Sequence, residues 1–292
     1  MRFDSTPLRL KVLVPLLLAG CCARADNMVW QNPNGVIWND FYTSPYYASD
    51  TSRSPSQLLT IFCLDYNHDV APPFSWVANL NTLTPGNTSQ FQYGGSYPGA
   101  LATPWAFMQD SQGVGDPHAV TMQTGSDNYH RYLEAAWLFT NIMDSMAKSP
   151  EDTAAMQVSQ VAAWDLFVDS NHINDLHSRI SGTTGTWTFT NYSSNASITN
   201  LNFEAAVDEA VKAAQTAVLG GWTPTIGWSV VTANIGWVQN SNNGNLVQEF
   251  LTPFVATPEP GACVLLGTAL LFLVFRLRRR LVAVDPLRGT NS

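Results

Sequence analysis

Cys63 and Gln160 are the residues of this sequence whose type and setting suit covalent chemistry. The chain has four cysteines: Cys21, Cys22, Cys63 and Cys263. The first two fall in an apolar N-terminal segment and the last in an apolar C-terminal run, which leaves Cys63 as the one thiol of the stretch between them. In a chain with an export signal, a leftover cysteine is either a reactive or protected thiol, or a buried residue acting as a small apolar side chain. Gln160 belongs to the series Met156, Gln160, Ala163, Trp164, Phe167, spaced i, i+4, i+7, i+8 and i+11. That spacing puts Gln160 on the apolar stripe of a helix. A buried glutamine amide left without a partner costs about 1–3 kcal/mol. Its carboxamide is therefore either bonded to a backbone group or consumed in a covalent bond.

The elements that must position this pair can be read around them. Leu58 to Leu64 is a short apolar run ending at Asp65, and its Ile, Phe and Thr content predicts a buried strand. Asn-Pro-Asn-Gly at 32–35 signals a turn, and residues 83–128, rich in Gly, Pro, Ser, Thr and Gln, read as long loops with short strands. Three helices follow. The first spans 129–148, with a stripe through Leu133, Ala136, Trp137, Met143 and Ala147. The second is expected to begin at Ser149-Pro150-Glu151-Asp152, with Ser149 as cap and Pro150 at the first helical position, and to run to about Val168. The third spans 203–219 and ends at Gly220-Gly221. A polar segment at 181–200 reads as a hairpin or loop, and 225–238 and 246–252 read as strands. Strands at both ends with helices between predict an α+β fold, a β-sandwich or barrel-like part with an inserted helical part.

Phe62-Cys63-Leu64-Asp65 and Ser159-Gln160-Val161-Ala162-Ala163-Trp164, with Ala135-Ala136-Trp137-Leu138 between them, resemble the paired motifs of the thioester domains of Gram-positive surface adhesins. The resemblance covers roughly residues 58–168, with Ser159 in place of the family's Thr and Ala163 in place of a larger apolar residue. It implies a side-chain thioester between Cys63 and Gln160, formed with loss of ammonia and able to pass its acyl group to an incoming amine or hydroxyl. Contact between the two groups makes the reaction effectively unimolecular, and a dry pocket slows hydrolysis. Phe62, Asp65 and Trp164 are the expected pocket residues.

The two ends carry targeting signals. Arg9 and Lys11 precede the apolar segment Val12–Gly20, and Ala23-Arg24-Ala25 fits cleavage by signal peptidase between Ala25 and Asp26. Leu18-Ala19-Gly20-Cys21 also resembles a lipobox, which leaves lipoprotein processing open. At the other end, Pro258-Glu259-Pro260 precedes the uncharged apolar run Gly261–Phe275, and Arg276, Arg278, Arg279 and Arg280 follow at once. Fifteen residues span about 22 Å as a helix, short for a stable membrane crossing. This arrangement resembles the PEP-CTERM sorting signal of Gram-negative bacteria. It implies exosortase as a partner, with a transient stay in the inner membrane. The expected organisation is a signal peptide at 1–25, an extracytoplasmic domain at 26–254 and a sorting tail with one apolar helix at 255–292.

Charge excludes one class of partner. Residues 26–275 hold five Lys or Arg against twenty Asp or Glu, a formal charge of -15. A domain this acidic lacks the basic face that nucleic acid requires. Asp169, His172, Asp175 and His177 cluster in sequence, but the cysteine pair of a zinc finger is missing, so no metal or other cofactor is expected. Ten tryptophans allow a carbohydrate-binding face, although scattered Trp usually serves the core. The expected function is adhesin-like, single-turnover covalent capture on a surface or matrix target, without enzymatic turnover. The alternative is a non-covalent structural or carbohydrate-binding protein of the exopolysaccharide matrix.

Overall fold

A computed structural model describes residues 25–31, 36–52, 55–64, 66, 75–91, 128–150, 152–168, 172–233, 249–253 and 273. Residues 24–255 form one compact unit. Six strands close an antiparallel barrel in the order β1-β4-β5-β10-β9-β6. They are β1 (Ala25–Trp30), β4 (Tyr46–Asp50), β5 (Gln57–Cys63), β6 (Ser75–Thr82), β9 (Ser229–Ala233) and β10 (Phe250–Thr252). Between β4 and β6 the chain runs as adjacent antiparallel strands or neighbours of β1, whereas β9 and β10 arrive after the helices and close the ring. The expected barrel-like part with an inserted helical part is therefore present.

Side-chain alternation explains which strands face solvent. In β4, residues 46, 48 and 50 are buried and the two between are half-exposed, the period of a strand with one wet face. In β9 and β10 every residue is buried, and β5 loses its alternation at Ile61-Phe62-Cys63. Those strands are covered on both faces, and Phe62 shows how. Its ring stacks on Phe139 at 4.9 Å and meets Trp228 at 5.8 Å. Elsewhere in the core Trp30, Tyr46 and Trp76 all pack on Phe250.

Among the described residues, four α-helices lie between β6 and β9: α1 (Asn128–Lys148), α2 (Thr153–Phe167), α3 (Ile173–Gly182) and α4 (Phe203–Leu219). The second helix begins later than expected. Ser149 still closes α1, its N–H donating to the carbonyl of Ser145, so Asp152 caps α2 instead by accepting from the Ala155 N–H at 3.1 Å. The fourth helix, α3, was not expected, because Leu176 and Ile180 supply too short an apolar stripe to stand out. The limits of α4 agree with the reading. Asn202 caps its start, and Gly221 ends it at φ +87°, a conformation that favours glycine.

Among the described residues, two small sheets accompany the barrel. The 181–200 segment contains the hairpin β7 (Trp187–Asn191) with β8 (Ala196–Leu201). A tighter hairpin, β2 (Ile37–Trp38) with β3 (Phe41–Tyr42), turns at Asn39 and Asp40, both at positive φ. Such a two-residue turn matches strand twist, and Asn and Asp tolerate it. Residues 1–24 and, apart from Leu273, residues 254–292 lie outside the description. The apolar signal segment, Pro258, Glu259, Pro260, Arg276, Arg278, Arg279 and Arg280 are among them. Among the described residues, no helix is long and apolar enough to cross a membrane.

Candidate functional site

Cys63 is the last residue of β5, opposite Phe250 of β10, and Gln160 sits at the middle of α2. Both are fully buried, and Cys63 is a thiol outside any disulfide. The fold brings them together across 97 residues: the Gln160 Nε2 donates to the carbonyl of Cys63 at 2.8 Å. The other end of the carboxamide is also held, Oε1 accepting from the backbone N–H of Ser44 at 3.1 Å. Ser44 in turn accepts, through Oγ, the N–H of Cys63 at 3.0 Å. One turn further along α2, the indole N–H of Trp164 lies 3.4 Å from Cys63 Sγ.

Three of the five residues singled out from the sequence thus meet: Cys63, Gln160 and Trp164. Phe62 lies beside them in the chain, but its ring packs toward α1, in the seam with Phe139 and Trp228. Asp65 lies outside the described residues. The proposed signal-peptidase junction falls at the start of β1, where Asp26 is buried and accepts from the Ser52 hydroxyl at 2.9 Å.

The sequence reading missed Ser44 and the aromatic cover over Trp164. That cover consists of Trp38 and Phe41 from the β2–β3 hairpin, with Tyr66, at ring separations from Trp164 of 6.2, 6.0 and 5.6 Å. It is clasped from α3. The Arg179 guanidinium sits 5.0 Å above the Phe41 ring, and the Tyr66 hydroxyl donates to Asp175 Oδ2 at 2.5 Å. Arg179 Nε donates to the same carboxylate at 2.9 Å. Burial and the bond to Asp175 hold the Tyr66 phenol neutral, well above its usual range. The same bond, followed by that from Arg179, holds the Asp175 carboxyl below its usual range. A signal for the hairpin existed in Trp38-Asn39-Asp40-Phe41, a two-residue turn sequence between aromatic residues.

Chemically, the arrangement holds the Gln160 amide against the backbone of the residue that bears the thiol, with its oxygen already facing a backbone donor. The indole can only donate, so the sulfur is the acceptor of this bond. The same contacts give each end of a buried carboxamide a partner, as an unreactive glutamine bridging α2 to β5 also requires. Of the described histidines, His177 bonds to Asp165 at 2.9 Å, away from the pair. Among the described residues, no group of three or more His, Cys, Asp or Glu could hold a metal ion. Trp30, Trp38, Trp76, Trp137, Trp164 and Trp228 are buried. Comparison of the chain with family models, with curated proteins and with solved structures gave no match.

Proposed function

We propose that the chain is an exported surface protein whose Cys63 and Gln160 form an internal thioester that captures a nucleophile covalently. The observation that carries the reading is the fixed Gln160 carboxamide, bonded at one end to Ser44 and at the other to the residue that bears the thiol. In the forming step Sγ bonds to the Gln160 carbonyl carbon, the C–N bond breaks, and the thiol proton leaves with nitrogen as ammonia. In the capturing step an amine or hydroxyl takes the acyl group and Cys63 regains its proton. Each molecule reacts once, so the protein is a covalent binder and not an enzyme. The N-terminal signal would export it. The Pro258-Glu259-Pro260 tail, with its apolar run and arginines, would hold it in the inner membrane for exosortase before it reaches the surface or matrix.

Burial of six tryptophans supports core packing over a glycan-binding face. Intact mass of the 26–254 domain tests the reading, beside Cys63→Ala and Gln160→Ala and with or without methylamine. The expected wild type is lighter than its sequence by one ammonia and gains one methylamine, while neither variant changes. An unmodified mass with Cys63 readily alkylated in the native protein rejects it.

A further inference from the structure

Ser44 occupies a special place in the strand ladder. The β4–β5 register pairs Tyr46 with Ile61 and Tyr47 with Thr60, and continuing it places Pro45 opposite Phe62 and Ser44 opposite Cys63. Proline has no N–H, so the ladder cannot continue through it. Beyond Pro45 the backbone N–H of Ser44 turns instead to Gln160 Oε1, and its hydroxyl takes the N–H of Cys63. Ser44 is fully buried, so neither bond competes with bulk water.

We propose that Ser44 is the positioning residue of the Cys63–Gln160 reaction, its backbone N–H receiving the charge that develops on the Gln160 oxygen while its hydroxyl fixes the Cys63 backbone. The inference rests on the thioester reading. When Sγ attacks the carbonyl carbon, negative charge moves onto Oε1, the atom that Ser44 already bonds. Collapse expels Nε2 with the thiol proton as ammonia. During capture the incoming amine attacks the same carbon, charge returns to Oε1, and the C–S bond breaks as the amine's proton passes to sulfur. One fixed donor therefore serves both steps, the arrangement that stabilises tetrahedral intermediates most strongly.

The test uses the full-length protein, with the crosslinked fraction and the rate of methylamine addition both read by intact mass. Ser44→Ala keeps the N–H but frees the Cys63 backbone, and is expected to slow methylamine addition by about tenfold or more. Ser44→Thr keeps both bonds and should stay within about threefold of wild type. A residue with only a structural role would lower the melting temperature and leave the rate unchanged. In isotope-edited infrared spectra of the wild type, which require no variant, the thioester carbonyl band should lie below that of a thioester in apolar solvent. Wild-type rates in Ser44→Ala, or an unlowered carbonyl band, overturn the role of Ser44 while leaving the thioester in place. A wild type that has lost no ammonia removes the thioester itself, and this proposal with it.

Discussion

Two aromatic covers flank the end of β5 that carries Cys63, one built on Phe62 beside it and one on Trp164 bonded to it, and they are built differently. On the α1 side, Phe62, Phe139 and Trp228 interlock, and all are almost completely buried. On the hairpin side, Phe41 and Tyr66 rest on Trp164 but are themselves held by Arg179 and Asp175, an ion pair about a third and a half exposed. The α1 cover is tied to barrel strands through the core. The hairpin cover hangs from a two-stranded sheet that is not part of the barrel. The hairpin side is anchored too, by Trp38 stacked on Phe203, but its clasp to α3 is partly exposed, so it is the side expected to part first. Their carboxylates repeat the contrast. Glu134 on α1 is buried and pushed up to about 7 by that burial, against the pull of Arg131, which is itself lowered to about 10 by burial. Asp175 on α3, exposed and bonded, is held low.

The largest expected effect breaks the α1 cover. Phe139→Ala should cost about 3–5 kcal/mol in urea unfolding, the usual loss for a fully buried aromatic. A loss below about 1 kcal/mol would show that this seam collapses as easily as the other cover. Next comes the titration of Glu134. Its folded pKa is raised, so between the unfolded value and about 7 the native state holds a proton that the unfolded chain has released. The Glu134 contribution is thus most favourable below the unfolded carboxylate range and is lost as pH climbs toward 7. The loss is at most about 3 kcal/mol. Glu134→Gln should flatten the slope of unfolding free energy between acid and neutral pH; an unchanged slope removes Glu134 as its source. The smallest effect on stability sharpens the comparison from the hairpin side. Phe41→Ala should cost only about 1–2 kcal/mol, because the ring is half-buried. It should nevertheless speed methylamine addition several-fold, and an unchanged rate would place the route to Gln160 elsewhere.

Much of this frame was legible in the sequence because it rests on side-chain pattern. The limits of α4 follow from an apolar stripe between an Asn cap and a Gly-Gly stop, and β5 from a run of Leu, Ile and Phe. The position of Gln160 on a buried helix face followed from spacing alone, and so did its need for partners. What was illegible lies in the main chain. The donor to Gln160 is a backbone N–H, which any residue but proline carries, so nothing about Ser44 announces it. The late start of α2 depended on which of two capping residues, Ser149 or Asp152, the chain used, and α3 on two apolar side chains among polar neighbours.

The barrel closes through its last strand, and that sets an order of events. β5 is made early, but one of its neighbours is β10, whose residues 250–252 follow all four helices in the chain. A chain emerging from its N-terminus therefore carries Cys63 for almost two hundred residues before the strand beside it exists. Pairings this distant in sequence are slow to form, because loop closure must precede any gain from contact. A bond between Cys63 and Gln160 would then mark a finished molecule. On the proposed reading, the surroundings of the pair would be complete only once β10 had closed the ring beside Cys63.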